Sequence, residues 1–180
     1  MTGAARDLVL EHFRWVGGHA DVWSVFRDAR AFAAVVAGLV EPFREAQVTA
    51  VCGIESRGFL LGGAAAVELG VGFVAVRKGQ GLFPGDKVER RSTPDYRGHE
   101  HRLRLQRSSL GRSDKVLLVD DWIETGSQAT AVRDMVSECG GDWAGCSVII
   151  DQLGEDQARE LGPVRALLRF EDLPASRTHE

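Results

Sequence analysis

Two adjacent carboxylates, Asp120 and Asp121, end an apolar block, Val116 to Val119, and stand just before the small-residue turn Thr125-Gly126-Ser127. The block predicts a strand buried on both faces, as in a parallel sheet. From about Gln128 to Glu138 the pattern is helical. In an open α/β sheet, ligands bind beyond the carboxyl ends of the strands. The turn suits an anion there. Gly126 lets the backbone approach closely, the free N–H groups at the helix start favour a phosphate, and the Thr125 and Ser127 hydroxyls add donors. Carboxylates repel a phosphate, so Asp120 and Asp121 must face another part of the ligand. Sugar hydroxyls, or a magnesium ion bridging to a diphosphate, are the matching partners.

One molecule carries a phosphate, sugar hydroxyls and a diphosphate: 5-phosphoribosyl-1-pyrophosphate (PRPP). The run from Val119 through Asp120-Asp121 to Thr125-Gly126-Ser127 resembles the PRPP-binding motif of type I phosphoribosyltransferases. Gly53 to Gly62, Leu69 to Lys78, the Val25-Phe26-Arg27-Asp28 segment and Ala158 to Phe170 resemble the adenine phosphoribosyltransferases in particular. The likeness spans about residues 22–78 and 110–171. It implies a type I phosphoribosyltransferase α/β fold: one domain over residues 1–180, with a mostly parallel central sheet flanked by helices. A small hood would come from about residues 1–28 plus a C-terminal part, and a flexible lid from about 79–101. It further implies that Asp120 and Asp121 hold the ribose hydroxyls and meet Mg2+ directly or through water. Thr125, Gly126, Ser127, Gln128 and Ala129 would anchor the 5′-phosphate. Ser56, Arg57, Arg77 and Lys78 would bind pyrophosphate, and Val25, Phe26 and Arg27 would contact a purine. A homodimer is also implied.

Three departures from the family pattern stand out. Gln128 occupies the place of a threonine, and its amide donates from a longer arm. Trp122 and Glu124 replace aliphatic and small residues; Trp122 either fills the core or flanks the base. In the lid, where the family carries a Glu-Tyr pair whose glutamate is thought to assist proton transfer, this chain has Asp95-Tyr96. Asp95 is the first candidate for that role and Glu100 the second. His99 and His101, nearby, could titrate near neutrality.

The elements that must hold these groups read as follows. Residues 5–16 predict an amphipathic helix broken by Gly17-Gly18, and 29–46 a second helix, interrupted at Gly38 and Pro42. Val48 to Cys52 reads as a strand, Phe59 to Leu69 as a helix stopped by Gly70, and Gly72 to Val76 as a strand ending at Arg77-Lys78. That strand–helix–strand unit should be right-handed and parallel. Residues 79–101, rich in Gly and Pro, read as a long loop. A strand around Leu103 and Leu105 returns to the core. Trp143 to Ile150 reads as a strand, Glu155 to Leu161 as a short helix and Val164 to Phe170 as a last strand.

At 180 residues, with 27% charged side chains and a net charge of −4, the composition is that of an ordinary globular chain, and it offers no basic excess for nucleic acid. Cys52, Cys139 and Cys146 form no zinc spacing or disulfide framework, which with the absence of a signal or spanning segment predicts a cytoplasmic protein. Gly79-x-Gly81 follows a strand like a dinucleotide fingerprint, but Pro84 intervenes and no helix pattern follows. A Walker loop is absent. The rival that survives is a non-catalytic member of the same fold that senses PRPP or a nucleotide.

Overall fold

The computed structural model describes residues 2–79, 82–93 and 100–175. Over these residues the chain forms a small hairpin, β1 (Arg14–Val16) with β2 (His19–Asp21), and a seven-stranded sheet. The sheet contains β3 (Ala50–Ile54), β4 (Gly72–Lys78), β5 (Lys87–Arg91), β6 (Arg102–Gln106), β7 (Lys115–Ile123), β8 (Asp142–Asp151) and β9 (Val164–Arg169), in the order β5-β6-β4-β3-β7-β8-β9. The five strands from β4 to β9 run parallel, and β6 is antiparallel to both β4 and β5. The helices are α1 (Thr2–His12), α2 (Trp23–Arg27), α3 (Ala29–Val40), α4 (Arg57–Leu69), α5 (Ser127–Glu138) and α6 (Glu155–Leu161). The mixed α/β architecture with a mostly parallel sheet is the one expected.

Alternate residues of the central strand feed two cores, which is why its sequence is apolar throughout. Leu117 and Val119 join one cluster with α1, α3 and α4, while Val116 and Leu118 join another with α5 and β6. The chain leaves β3 toward β4 on one side and reaches β7 on the other, so the topological switch falls between β3 and β7. Their pairing runs from Ala50↔Val116 to Cys52↔Leu118 and stops there, although both strands continue. The divergence opens a crevice at their carboxyl ends.

Three expectations need correcting. The first helix ends at His12, and Arg14–Val16 is a strand instead; Gly17 and Gly18, at φ 55° and 76°, make the two-residue turn of a hairpin. The second helix ends at Val40 and gives way to a tight turn at Glu41–Phe43 around Pro42. The long loop is not all loop: Lys87–Arg91 pairs with β6 over its whole length. Only Val88 in that strand is buried, too little apolar signal to reveal it among its charges.

Candidate active site

A cleft of about 810 Å³ lies over the crevice. One wall comes from the β3–α4 turn and the end of β4: Glu55, Ser56, Arg57 and Lys78. The floor and opposite wall come from β7 and its turn, Asp120 through Ala129. The third side is Trp15, His19, Ala20 and Val22 from the hairpin region, with Gln152 and Phe170.

At the acid pair, the Asp121 backbone N–H donates to Asp120 Oδ1 at 2.9 Å. Gly58, in the first turn of α4, lies so close that a Cβ there would stand 3.0 Å from Asp120 Oδ1. Burial and repulsion from Asp121 push the Asp120 carboxyl well above the ordinary carboxylate range, and Lys78 only partly offsets them. Asp121 is buried, and Arg57 Nε stands 3.0 Å from its Oδ2. That contact is an ion pair outside hydrogen-bonding geometry, which leaves Oδ2 without a hydrogen-bond partner among the described residues. Two close carboxylates with unspent acceptor capacity call for hydroxyl donors or a cation.

The turn beyond them is built for an anion. Gly126 has φ 74° and ψ −3° and leads directly into α5, whose first turn contains no acid. A side chain at Gly126 would be strained by that φ and would put a Cβ 3.2 Å from Leu153 Cδ2. Thr125 Oγ1 accepts weakly from the Ser127 N–H, and Gln128 and Ala129 line the same pocket.

The cations divide. Lys78 lines the cleft and its backbone N–H donates to Glu55 Oε2 at 2.9 Å. Arg77 is turned away: it forks onto Glu55, donates to the Leu82 carbonyl at 2.7 Å and lies over the Phe83 ring. The Arg77 hydrogen bond holds the Glu55 carboxyl below its usual value, with help from the Lys78 N–H, against a smaller push from burial. Arg77 thus acts on this wall through Glu55.

The aromatic side was only partly anticipated. Trp15, Phe170 and Trp122 form an edge-to-face chain, with ring centroids 6.5 Å and 6.0 Å apart. Trp15 Nε1 donates to the Pro174 carbonyl, and Trp122 Nε1 donates to Gln152 Oε1 at 3.1 Å. Trp122 was singled out from sequence; Trp15, Gln152 and Phe170 were not. They come from three distant segments, and each alone reads as ordinary packing.

The residues expected to contact the base lie off this cleft. Val25 is fully buried in the core, and Phe26 packs edge-to-face between Trp23 and Phe32. Arg27 is exposed at the end of α2, just before Asp28, which caps α3 by accepting from the Ala31 N–H. Glu100 also lies off the cleft, exposed and 3.7 Å from Arg91, whereas its neighbour His101 lines it. Asp95 lies outside the described residues.

Known proteins share this fold. A phosphoribosyl transferase domain model matches residues 22–168. The chain belongs to that family. An adenine phosphoribosyltransferase of Methylobacillus flagellatus is 40% identical over 84% of this chain and 87% of its own length. Among solved structures, the adenine phosphoribosyltransferase of Rhodothermus marinus superposes with a TM-score of 0.80 at 30% identity, over 93% of this chain and 99% of that one. The Giardia lamblia enzyme, solved with 9-deazaadenine, gives a TM-score of 0.78 at 28% identity, over 93% and 97%. The fold and the enzyme class are therefore those of the phosphoribosyltransferases. Nothing in these relatives favours the sensor. No helix among the described residues is long and apolar enough to cross a membrane.

Proposed function

We propose that the protein transfers ribose 5-phosphate from PRPP to a ring nitrogen of adenine, giving the nucleoside monophosphate and pyrophosphate. The observation that carries this is a single cleft holding, in order, an anion turn, an acid pair and an aromatic wall, with Lys78 and Arg57 facing the acids. The Thr125–Ala129 turn grips the 5′-phosphate through helix-start N–H groups and hydroxyls. Asp120 and Asp121 accept from the ribose hydroxyls, and their charge stabilises the cation that develops at the anomeric carbon as the bond to the diphosphate lengthens. Arg57, Lys78 and Ser56 meet the departing diphosphate, with Arg77 acting through Glu55.

Magnesium suits these residues as an ion carried by the substrate. It keeps several waters and takes one or two protein carboxylates plus phosphate oxygens. The repelled Asp120 and Asp121 Oδ2, which is ion-paired with Arg57 but accepts no hydrogen bond among the described residues, could supply that pair directly or through water. Bound there, the ion neutralises charge on the diphosphate.

The base stacks against the aromatic side, and Val25, Phe26 and Arg27 remain the residues that the family resemblance offers as its further contacts. The lid proposed for about residues 79–101, in which Lys87–Arg91 is a fixed strand of the sheet, closes over the site beyond that strand and keeps water from the cation. Asp95 and Glu100 remain the lid acids proposed for proton transfer. The N-terminal hairpin and the segment at Phe170 form the hood of a single domain. The working form is a cytoplasmic homodimer that needs neither nucleic acid nor membrane.

Incubation with PRPP, magnesium and a panel of nucleobases, scored by pyrophosphate release, tests the reading. Release with adenine, lost in Asp121→Asn, is the expected result. Tight PRPP binding without turnover on any base would overturn it in favour of the sensor.

A further inference from the structure

Gln152 stands at the carboxyl end of β8, beside Trp122 at the end of β7, and both side chains line the aromatic side of the cleft. Its position is fixed from three directions. Its backbone N–H donates to the Ile123 carbonyl at 2.8 Å. The neighbouring Asp151 is buried, accepts the Leu153 N–H at 2.8 Å and pairs with Arg169 at 2.9 Å. The Gln152 side chain accepts the indole N–H of Trp122 at 3.1 Å.

That last contact decides the amide's orientation. An indole N–H only donates, so the atom it meets must be the amide oxygen. A free glutamine can rotate its amide and offer either a donor or an acceptor. This one, held by Trp122, turns its NH2 away from the indole, and no other hydrogen bond of its side chain is present among the described residues. Turning the amide over would set NH2 against N–H and lose the bond.

We infer that Gln152, locked by Trp122, is a specificity-determining residue whose NH2 donates to an unprotonated ring nitrogen on the edge of the purine. The inference rests on the reading that the aromatic side holds the base. It adds a selection rule: the edge facing Gln152 must present an acceptor, and an exocyclic amino group offered there is rejected. A site built to hydrogen-bond one edge discriminates strongly, because a mismatch leaves polar groups unpaired. Adenine must therefore lie with its amino group turned elsewhere.

The test uses Gln152→Glu, which keeps the side chain's size and its acceptor for Trp122 and exchanges the NH2 donors for a charged acceptor oxygen. Gln152→Leu is the second variant. Calorimetric binding of adenine and of 1-, 3- and 7-deazaadenine is measured on the full chain, alongside turnover with PRPP and magnesium. The wild type should bind one of the three analogues about tenfold more weakly than adenine, the loss of a single hydrogen bond. Gln152→Glu should weaken adenine by a similar factor and lose the discrimination against that one analogue, with KM for PRPP and the melting temperature little changed. A merely structural glutamine would not erase the penalty of one particular nitrogen. If Gln152→Glu leaves adenine affinity and the analogue pattern as in wild type, the inference fails while the proposed function stands. If adenine binds with this pattern but no base is turned over, the proposed function fails and the inference stands. No adenine binding at all would overturn both.

Discussion

The two ends of the cleft are made in different ways. At the phosphate end, the ligand-facing groups come from one continuous run, Asp120 to Ala129, and many of them are backbone N–H groups whose direction is set by the entry into α5. At the base end they are side chains from positions 15, 122, 152 and 170, brought together only when the hairpin, β7, β8 and β9 assemble. A backbone-built site tolerates changes of side chain but not of φ. A side-chain-built site can be retuned residue by residue. On the proposed reading, the first holds what every substrate of this reaction shares, and the second holds the part that varies.

Asp121→Asn should show the largest effect, since the acid pair lies between the two ends and serves the cation formed there. It is expected to lower kcat by about 10²–10³-fold, as for other groups aimed at transition-state charge. Steady-state kinetics checks it, and a loss confined to either KM would break the division. Phe170→Ala should raise KM for the base by about tenfold through lost stacking, a change of about 1.4 kcal/mol. KM for PRPP should hold steady. Gly126→Ala should do the reverse: its αL backbone costs an L-residue about 1–2 kcal/mol, and KM for PRPP should rise several-fold while KM for the base stays.

Asp120→Asn separates function from stability. In the folded protein the Asp120 carboxyl is raised, so the fold keeps a proton that the unfolded chain releases near 3.8. Its contribution is full below that value and declines as pH rises through the folded value. The asparagine variant should lose that decline and melt about 2–4 °C higher at neutral pH, for each kcal/mol recovered, while activity falls. Glu55→Gln should give the smallest change. Arg77 lowers the Glu55 carboxyl, so its stabilisation is present above the ordinary 4.5 and is lost as pH falls through the folded value. The variant should lose under about 1 kcal/mol at neutral pH, with the difference vanishing in acid. Thermal melts across pH check both.

The same contrast explains what could be read beforehand. The strand, acid pair, turn and helix are contiguous, so their periodicities and small residues signal them together, and the structure places Asp120 to Ala129 around one cleft. The parallel strands announced themselves because both faces are buried. The base end gave no comparable signal. Trp15 sits in a three-residue strand that read as a helix end, and Phe170 and Gln152 follow apolar strands and look like their continuation. Arg77 and Lys78 read alike in the sequence, yet alternation along β4 sends one toward Glu55 and Phe83 and the other into the cleft. Phe26 matches a family segment, and its ring packs edge-to-face with Trp23 and Phe32.

Trp15 is tied through its indole N–H to the carbonyl of Pro174 and touches Phe170 edge-on. Chains grow from the amino terminus, so one that has not yet reached Phe170 already contains every residue of the acid and phosphate half. It still lacks the ring that joins Trp15 to Trp122. On the proposed reading, selectivity for the base is the last property the growing chain acquires, and trimming back to residue 169 should leave a protein able to grip the sugar donor but poorly able to choose its acceptor.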